Sequence, residues 1–333
     1  MNIQSRPPAA RACGNILAMG KQNDLKKEIS IAYMGTPEIS AYVLEKLIED
    51  GYKIKALITN PDKPVGRKGI LTPPPTKVVA ERHGIPVYQP VRLRKDHDWF
   101  ASLGVDLLLT FAYGQIVPED MLSIPPKGCL NLHGSLLPAY RGAAPMQRAI
   151  ENGETVSGVT LMEMVKAMDA GRMYAKKEVP IEESDDYTSY SRKIAEAAYE
   201  VFAENIERYL DGKLPGEAQD ESKVTFADKI SKEEEHLPLS LSRKRFVDKA
   251  RSLSQEPGGY LFLGKDKVKV LKAAPGEDSD DELGTIKVAK HGIKVKVGDG
   301  YVGLLTLLPE GKKAMDGACF AAGHRGLDGQ KAS

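Results

Sequence analysis

Asn131 and His133 form a polar pair able to act on one substrate. They stand two apart at the end of an apolar run, where a period of two sends both side chains to one face of a strand. Asn131 can donate from its amide. His133 can donate, accept, and carry a proton near neutral pH. Asp169 is a lone acid in the turn Met168-Asp169-Ala170-Gly171. Such an acid can anchor and polarise a histidine. Together the three support attack of a nucleophile on a carbonyl: Asn131 and His133 stabilise the oxyanion, and the His/Asp pair moves protons. This chemistry requires no metal and no protein nucleophile. No serine sits in a G-x-S-x-G elbow, and neither H-E-x-x-H nor a P-loop occurs. A plainer reading makes the same residues ordinary strand-end and loop groups satisfied by their surroundings. Residue types alone leave both readings open.

The sequence around these groups reads as an α/β fold. Ile29 to Met34 predicts a buried strand and Gly35-Thr36-Pro37 a turn. Ile39, Val43, Leu44, Leu47 and Ile48 recur at helical spacing until Gly51, and Ile54 to Thr59 predicts a second strand. Strand, turn, helix and strand in that order make a βαβ unit, so the sheet should be mainly parallel with helices on both faces, a Rossmann-like arrangement. The first turn is not G-x-G-x-x-G, which gives no support for a nucleotide cofactor. Asp106 to Thr110 and Gly128 to His133 predict two more buried strands. Parallel strands deliver their ends to one edge, where sites are built in such sheets. A helix from Pro145 to Glu151, a strand from Gly158 to Met162 and a long amphipathic helix from Thr188 to Leu210 follow.

Asn60 to Thr76 stands apart. It holds five prolines and two glycines, a composition that predicts neither helix nor strand. Long irregular loops in compact domains are usually functional. Lys63, Arg67 and Lys68 make this one basic. After Pro257, short stretches alternate apolar residues with lysine: Val268-Lys269-Val270, Ile286-Lys287-Val288 and Ile293 to Val297. Short strands this dense, with glycine turns, predict a small OB-type barrel. If one face packs inward, Lys269, Lys287, Lys294 and Lys296 point outward. A basic helix precedes them, with Arg243 in its first turn. Ordinary solvation accounts for such lysines; a polyanion-binding face also fits.

Composition narrows the class. The 333 residues are 41% hydrophobic and 28% charged, with a formal net charge of +1. That is globular, and the balance announces no global attraction to nucleic acid. Cys13, Cys129 and Cys319 are too few and too scattered for a disulfide framework and suit a reducing compartment. No apolar run is long enough for a membrane helix. Residues 1–27 lack periodicity and read as an extension. Arg6 and Arg11 with no acid before Asp24 mildly suit a transit peptide, and Met19 would serve as an alternative start.

Several motifs, taken jointly, resemble the methionyl-tRNA formyltransferase family. They are the opening strand through Thr36-Pro37-Glu38, Asn60 to Arg67, Phe111-Ala112-Tyr113-Gly114, Asn131 to Pro138, Arg141 to Pro145 and Gly158 to Gly171. Further matches are Gln219-Asp220-Glu221, Ala227 to Glu234 and Leu308 to Met315. The likeness covers about residues 28–325. The core Asn-Leu-His-Gly-Ser-Leu-Leu-Pro alone is similar to the wider formyltetrahydrofolate-dependent transferases, those acting on glycinamide ribonucleotide and on sugar nucleotides included. The proline-rich basic loop and the barrel favour the tRNA enzymes.

This resemblance implies 10-formyltetrahydrofolate as formyl donor, the methionine amine of initiator methionyl-tRNA as acceptor, and no metal. It implies Asn131, His133 and Asp169 as catalytic residues. Ser135, Leu136, Leu137 and Pro138, with Tyr113 and Gly114, would contact the folate. Lys63, Arg67 and Lys68 would approach the acceptor stem, and Arg243, Lys269, Lys294 and Lys296 would hold tRNA phosphates. The implied organisation is an extension (1–27), a catalytic domain (28–212), a linker (213–235), an OB-like tRNA-binding domain (236–325) and a tail (326–333), in a monomer of the bacterial-type cytoplasm. Arg172, Glu163 and Lys166 depart from the family pattern close to Asp169, and Ser254 to Gly259 is a loose version of its Asn-Pro-x-Pro stretch.

Overall fold

A computed structural model describes residues 28–66 and 69–333. The readings placed on residues 1–27, and on Arg67 and Lys68, lie outside the described residues. By compactness the chain forms two units. One takes the described residues up to His133 with Thr160–Lys177 and Ala195–Gln219; the other takes Gly134–Val159, Glu178–Ile194 and Asp220–Ser333.

The first strand, β1 (Ser30–Met34), is buried along its whole length, as expected of a strand covered on both faces. After Pro37 comes α1 (Glu38–Glu49), which buries Ala41, Val43, Leu44 and Leu47 along one stripe. Next is β2 (Lys53–Ile58), then a short pair, β3 (Lys63–Val65) and β4 (Ile70–Thr72). This pair corrects the expectation of no strand between Asn60 and Thr76. β3 and β4 pair only with each other, so both are edge strands, and an edge tolerates the missing N–H of Pro64. The segment's last prolines serve the next helix, α2 (Pro75–Arg82), with Pro75 in its first turn.

β5 (Val87–Tyr88), β6 (Leu107–Thr110), α3 (Glu119–Leu122) and β7 (Cys129–His133) follow. Then come α4 (Pro145–Glu151), β8 (Val156–Glu163), β9 (Met173–Pro180) and α5 (Tyr187–Leu210). The sheet order is β5-β2-β1-β6-β7-β8-β9. Pairing is parallel from β5 through β7, and β8 runs antiparallel to β7. The chain works outward from β1 to β2 and β5, then restarts on the other side with β6. Such a reversal opens a crevice at the carboxyl ends of the central strands, and β6 and β7 both end there. Beneath them Met34, Ile58, Phe100, Leu108, Met121 and Cys129 form one apolar cluster. Burial pushes the Cys129 thiol up to about 12, so it behaves as a small apolar group.

The C-terminal part begins with α6 (Arg243–Ser252), capped by the Ser242 hydroxyl. Strands β10 (Tyr260–Leu263), β11 (Asp266–Asp278), β12 (Ile286–Ala289), β13 (Gly292–Val297), β14 (Gly300–Pro309) and β15 (Met315–Asp316) make an antiparallel sheet, and α7 (Gly317–Gly323) follows. Phe246, Val268, Val270, Val295, Leu304 and Phe320 pack in its interior. The last residues belong to this fold. Ser333 exchanges backbone hydrogen bonds with Phe262 (2.7 and 3.1 Å), while Ala332 N donates to Gly284 O (2.7 Å) and Ile286 N to Gln330 O (2.8 Å). They satisfy the free edges of β10 and β12 together and close the sheet into a small barrel.

Candidate active site

β7 carries both central side chains. In the ladder Asn131 is level with Thr110 of β6 and Met162 of β8, and His133 is level with Thr160. Leu130 and Leu132, on the opposite face, are buried. Apolar residues on one face and polar ones on the other therefore fix which groups β7 presents at its end. His133 is buried to within 5% of its surface, and Asn131 is half-buried.

The loop between β8 and β9 supplies Asp169. Its Oδ2 lies 3.6 Å from His133 Nδ1, and both side chains are largely enclosed. Asp169 holds φ at 50°, the left-handed region that side chains other than glycine rarely adopt. Two neighbours hold it there. A Cβ on Gly171 would meet the Glu163 carbonyl oxygen at 2.0 Å, so the strand pair closes this tightly only over glycine. Gln219 donates from Nε2 to Asp169 O (2.7 Å) and to Gly171 O (2.9 Å), clamping the turn. Sequence reading missed this role for Gln219, whose only signal was its place in the family-like stretch Gln219 to Glu221. The other non-glycine residues with positive φ among the described residues are Ala112 (52°) and Tyr140 (62°), in the loops after β6 and β7. Strained backbone of this kind gathers at functional sites.

The residues assigned to folate divide between the two units. Tyr113 and Gly114 follow β6. The Tyr113 ring is 3% exposed, sits in the apolar cluster and has its hydroxyl pushed upward by burial. What faces the neighbouring loop is the Tyr113 carbonyl, which accepts from Asn60 Nδ2 (2.9 Å). In the other unit, Ser135 and Leu137 are buried and Leu136 and Pro138 half-buried. Ser135 Oγ donates to Ala139 O (2.7 Å), tightening the loop on itself. Downstream, Arg141 pairs with Glu221 (2.8 Å), and Ala227 N donates to Arg141 O (2.7 Å).

The basic residues are a mixed set. Lys63 is exposed on β3. Arg243 donates to Gly276 O (2.6 Å) and pairs with Asp278. Lys269 Nζ donates to Pro257 O (2.5 Å), and Lys294 pairs with Glu277. Lys296 departs from the outward orientation that alternation predicts. It is 4% exposed, and its ammonium donates to Val297 O (2.8 Å) and Gly298 O (3.3 Å). Those carbonyls at the end of β13 receive a charge that would otherwise be buried unpaired. Near Asp169, Arg172 donates to Gly216 O (2.9 Å) and Lys166 pairs with Glu119 (3.0 Å). Among the described residues no group of three or more His, Cys, Asp or Glu could hold a metal ion, and no helix is long and apolar enough to cross a membrane.

Comparison with known proteins agrees with this layout. The family model described as "Formyl transferase" matches residues 27–206, and that described as "Formyl transferase, C-terminal domain" matches residues 229–325. The class is thus that of the formyl transferases. The methionyl-tRNA formyltransferase of Bacillus subtilis (strain 168) is 42% identical over 301 residues, covering 88% of this chain and 94% of that one. The chain belongs to the methionyl-tRNA formyltransferase family. In fold alone it is similar to HypX from Aquifex aeolicus in complex with tetrahydrofolic acid, with TM-score 0.62, 17% identity and 87% of this chain covered. The match spans 46% of that longer protein. It is also similar to an N-formyltransferase from Helicobacter canadensis in complex with folinic acid and dTDP-3-aminofucose. That match has TM-score 0.62 and 17% identity, and covers 83% of this chain and 98% of that one.

Proposed function

We propose that Asn131, His133 and Asp169 carry out formyl transfer. The protein is an enzyme that moves the formyl group of 10-formyltetrahydrofolate to the α-amino group of methionine on initiator tRNA, in support of translation initiation. The observation that carries the catalytic assignment is the 3.6 Å approach of His133 to Asp169, with Asn131 one step back on the same strand face.

In this reading the amine attacks the formyl carbon. A free α-amino group has a pKa of about 7.7 and the adjacent ester lowers it, so a neutral amine is at hand. The new C–N bond forms as the carbonyl electrons move to oxygen, and Asn131 and His133 donate hydrogen bonds to that oxyanion. The His133/Asp169 pair takes the proton that the attacking nitrogen sheds. The carbonyl then re-forms and tetrahydrofolate N10 departs, receiving a proton. Ser135, Leu136, Leu137 and Pro138, with Tyr113 and Gly114, contact the folate.

Lys63, Arg67 and Lys68 approach the acceptor stem, and Arg243, Lys269 and Lys294 meet tRNA phosphates, which displace carboxylates from Arg243 and Lys294. Residues 28–212 serve catalysis, 213–235 link, and 236–325 bind tRNA, in a cytoplasmic monomer. The test is transfer of labelled formyl from 10-formyltetrahydrofolate to charged initiator tRNA, with elongator methionyl-tRNA as control. Preference for the initiator is expected. Equal or absent transfer counts against the assignment.

A further inference from the structure

We propose that Thr110 is a positioning residue for the Asn131 amide, an inference that rests on the catalytic reading of Asn131. Thr110 ends β6. It is 6% exposed, and its Oγ1 is buried with no hydrogen-bond partner. Its register partner across the parallel pair is Asn131, so both side chains leave the sheet on one face, with their strands about 4.8 Å apart. On the other side Asn131 is level with Met162, whose thioether is too weak an acceptor to hold an amide. The Asn131 side chain itself makes no hydrogen bond among the described residues. Of its two lateral neighbours, only Thr110 brings both a donor and an acceptor.

An asparagine has two chemically opposite ends, and an oxyanion is stabilised by only one of them. A hydroxyl that donates to Asn131 Oδ1 leaves the Nδ2 hydrogens turned toward the reacting carbonyl. Holding a hydroxyl buried without a partner is unfavourable in the resting chain, and a methyl in its place would be neutral or better. The Thr110 hydroxyl therefore contributes nothing to the stability of the resting fold. Its use comes when substrate orders the amide and the two groups meet. Tyr113 carries the neighbouring orphan hydroxyl, but its ring lies in the apolar cluster and no strand register ties it to Asn131.

The test is a short variant series assayed for formylation of methionyl-tRNA: Thr110→Val, Thr110→Ser, Asn131→Ala and the double variant Thr110→Val/Asn131→Ala. Thr110→Val should lower kcat about tenfold, less than the hundredfold or so of losing an oxyanion donor outright. KM for both substrates should stay within about twofold and Tm should equal or exceed the parent's, as expected when an orphan hydroxyl is removed. Thr110→Ser should recover most of the rate. Thr110→Val should cost nothing further in the Asn131→Ala background. A parental kcat for Thr110→Val overturns the proposal while leaving Asn131 in place. Rate loss with a lowered Tm and no rescue by serine also overturns it, in favour of a packing role. A parental rate for Asn131→Ala removes the catalytic reading itself and the Thr110 role with it.

Discussion

His133 Nδ1 and Asp169 Oδ2 approach to 3.6 Å across a gap that the chain crosses only through a helix, a strand and a strained turn. β7 delivers the imidazole, and the β8–β9 turn delivers the carboxylate. Replacing the carboxylate by an amide tests its charge without disturbing the turn, because asparagine tolerates positive φ. Asp169→Asn should keep the parent Tm and lose about a hundredfold or more in kcat, the scale of general acid–base catalysis. Steady-state kinetics alongside thermal melting checks it. Parental turnover would remove Asp169 from the reaction.

The turn that carries Asp169 depends on Gln219. Gln219→Leu removes two hydrogen bonds to its carbonyls and should cost about 1–3 kcal/mol of stability, with kcat falling more than KM changes. Gly171→Ala forces a Cβ against a backbone oxygen and should be worse, about 2–3 kcal/mol, since the strand pair must open. Urea unfolding measures both. An unchanged midpoint for Gly171→Ala would mean the turn is softer than its geometry.

Arg67 is proposed to serve tRNA binding and not chemistry. Arg67→Ala should weaken tRNA binding and reduce the slope of log K against log salt by about 1, as for one lost phosphate contact. Formyl transfer to saturating tRNA should stay near parental. Salt titration of binding gives the first quantity, and an undiminished slope would argue against the contact.

An ion network within the second unit sets a pH dependence. Arg148 pairs with Glu234 (2.6 Å) and Glu151 (2.9 Å), and Lys249 with Glu151 (2.8 Å). The Arg148 hydrogen bond pulls the Glu234 carboxyl down to about 2 from an ordinary 4.5. A folded pKa below the unfolded one stabilises above the unfolded value, and that contribution is lost as pH falls from about 4.5 towards 2. Glu234→Gln should therefore be less stable than the parent at pH 7 by about 1 kcal/mol, given partial solvent exposure, and equal to it near pH 2. Denaturant melts across that range decide. A gap that persists at the lowest pH would place the effect in packing instead of charge.

Much of this is legible in the sequence. Asn131 and His133 on one face follow from period two alone, and α4 opens at Pro145 because proline suits the first turn of a helix. The β3–β4 pair was not legible, because Pro64 reads as a breaker unless its strand is known to be an edge. The buried Lys296 follows alternation poorly because its ammonium turns back to the carbonyls of Val297, the last residue of the strand, and Gly298 just beyond it. Gln219 was invisible for a different reason. A single amide 50 residues from Asp169 carries no periodicity, and only the folded turn reveals what it holds.

Asn131, with His133 and Asp169, is proposed to stabilise the transition state of formyl transfer. The deciding experiment is single-turnover formylation of methionyl initiator tRNA by Asn131→Ala, with tetrahydrofolate affinity measured separately. The rate should fall by about a hundredfold or more while folate affinity stays within about threefold, because the lost donor acts on the oxyanion and not on the ground state. A near-parental single-turnover rate would contradict it.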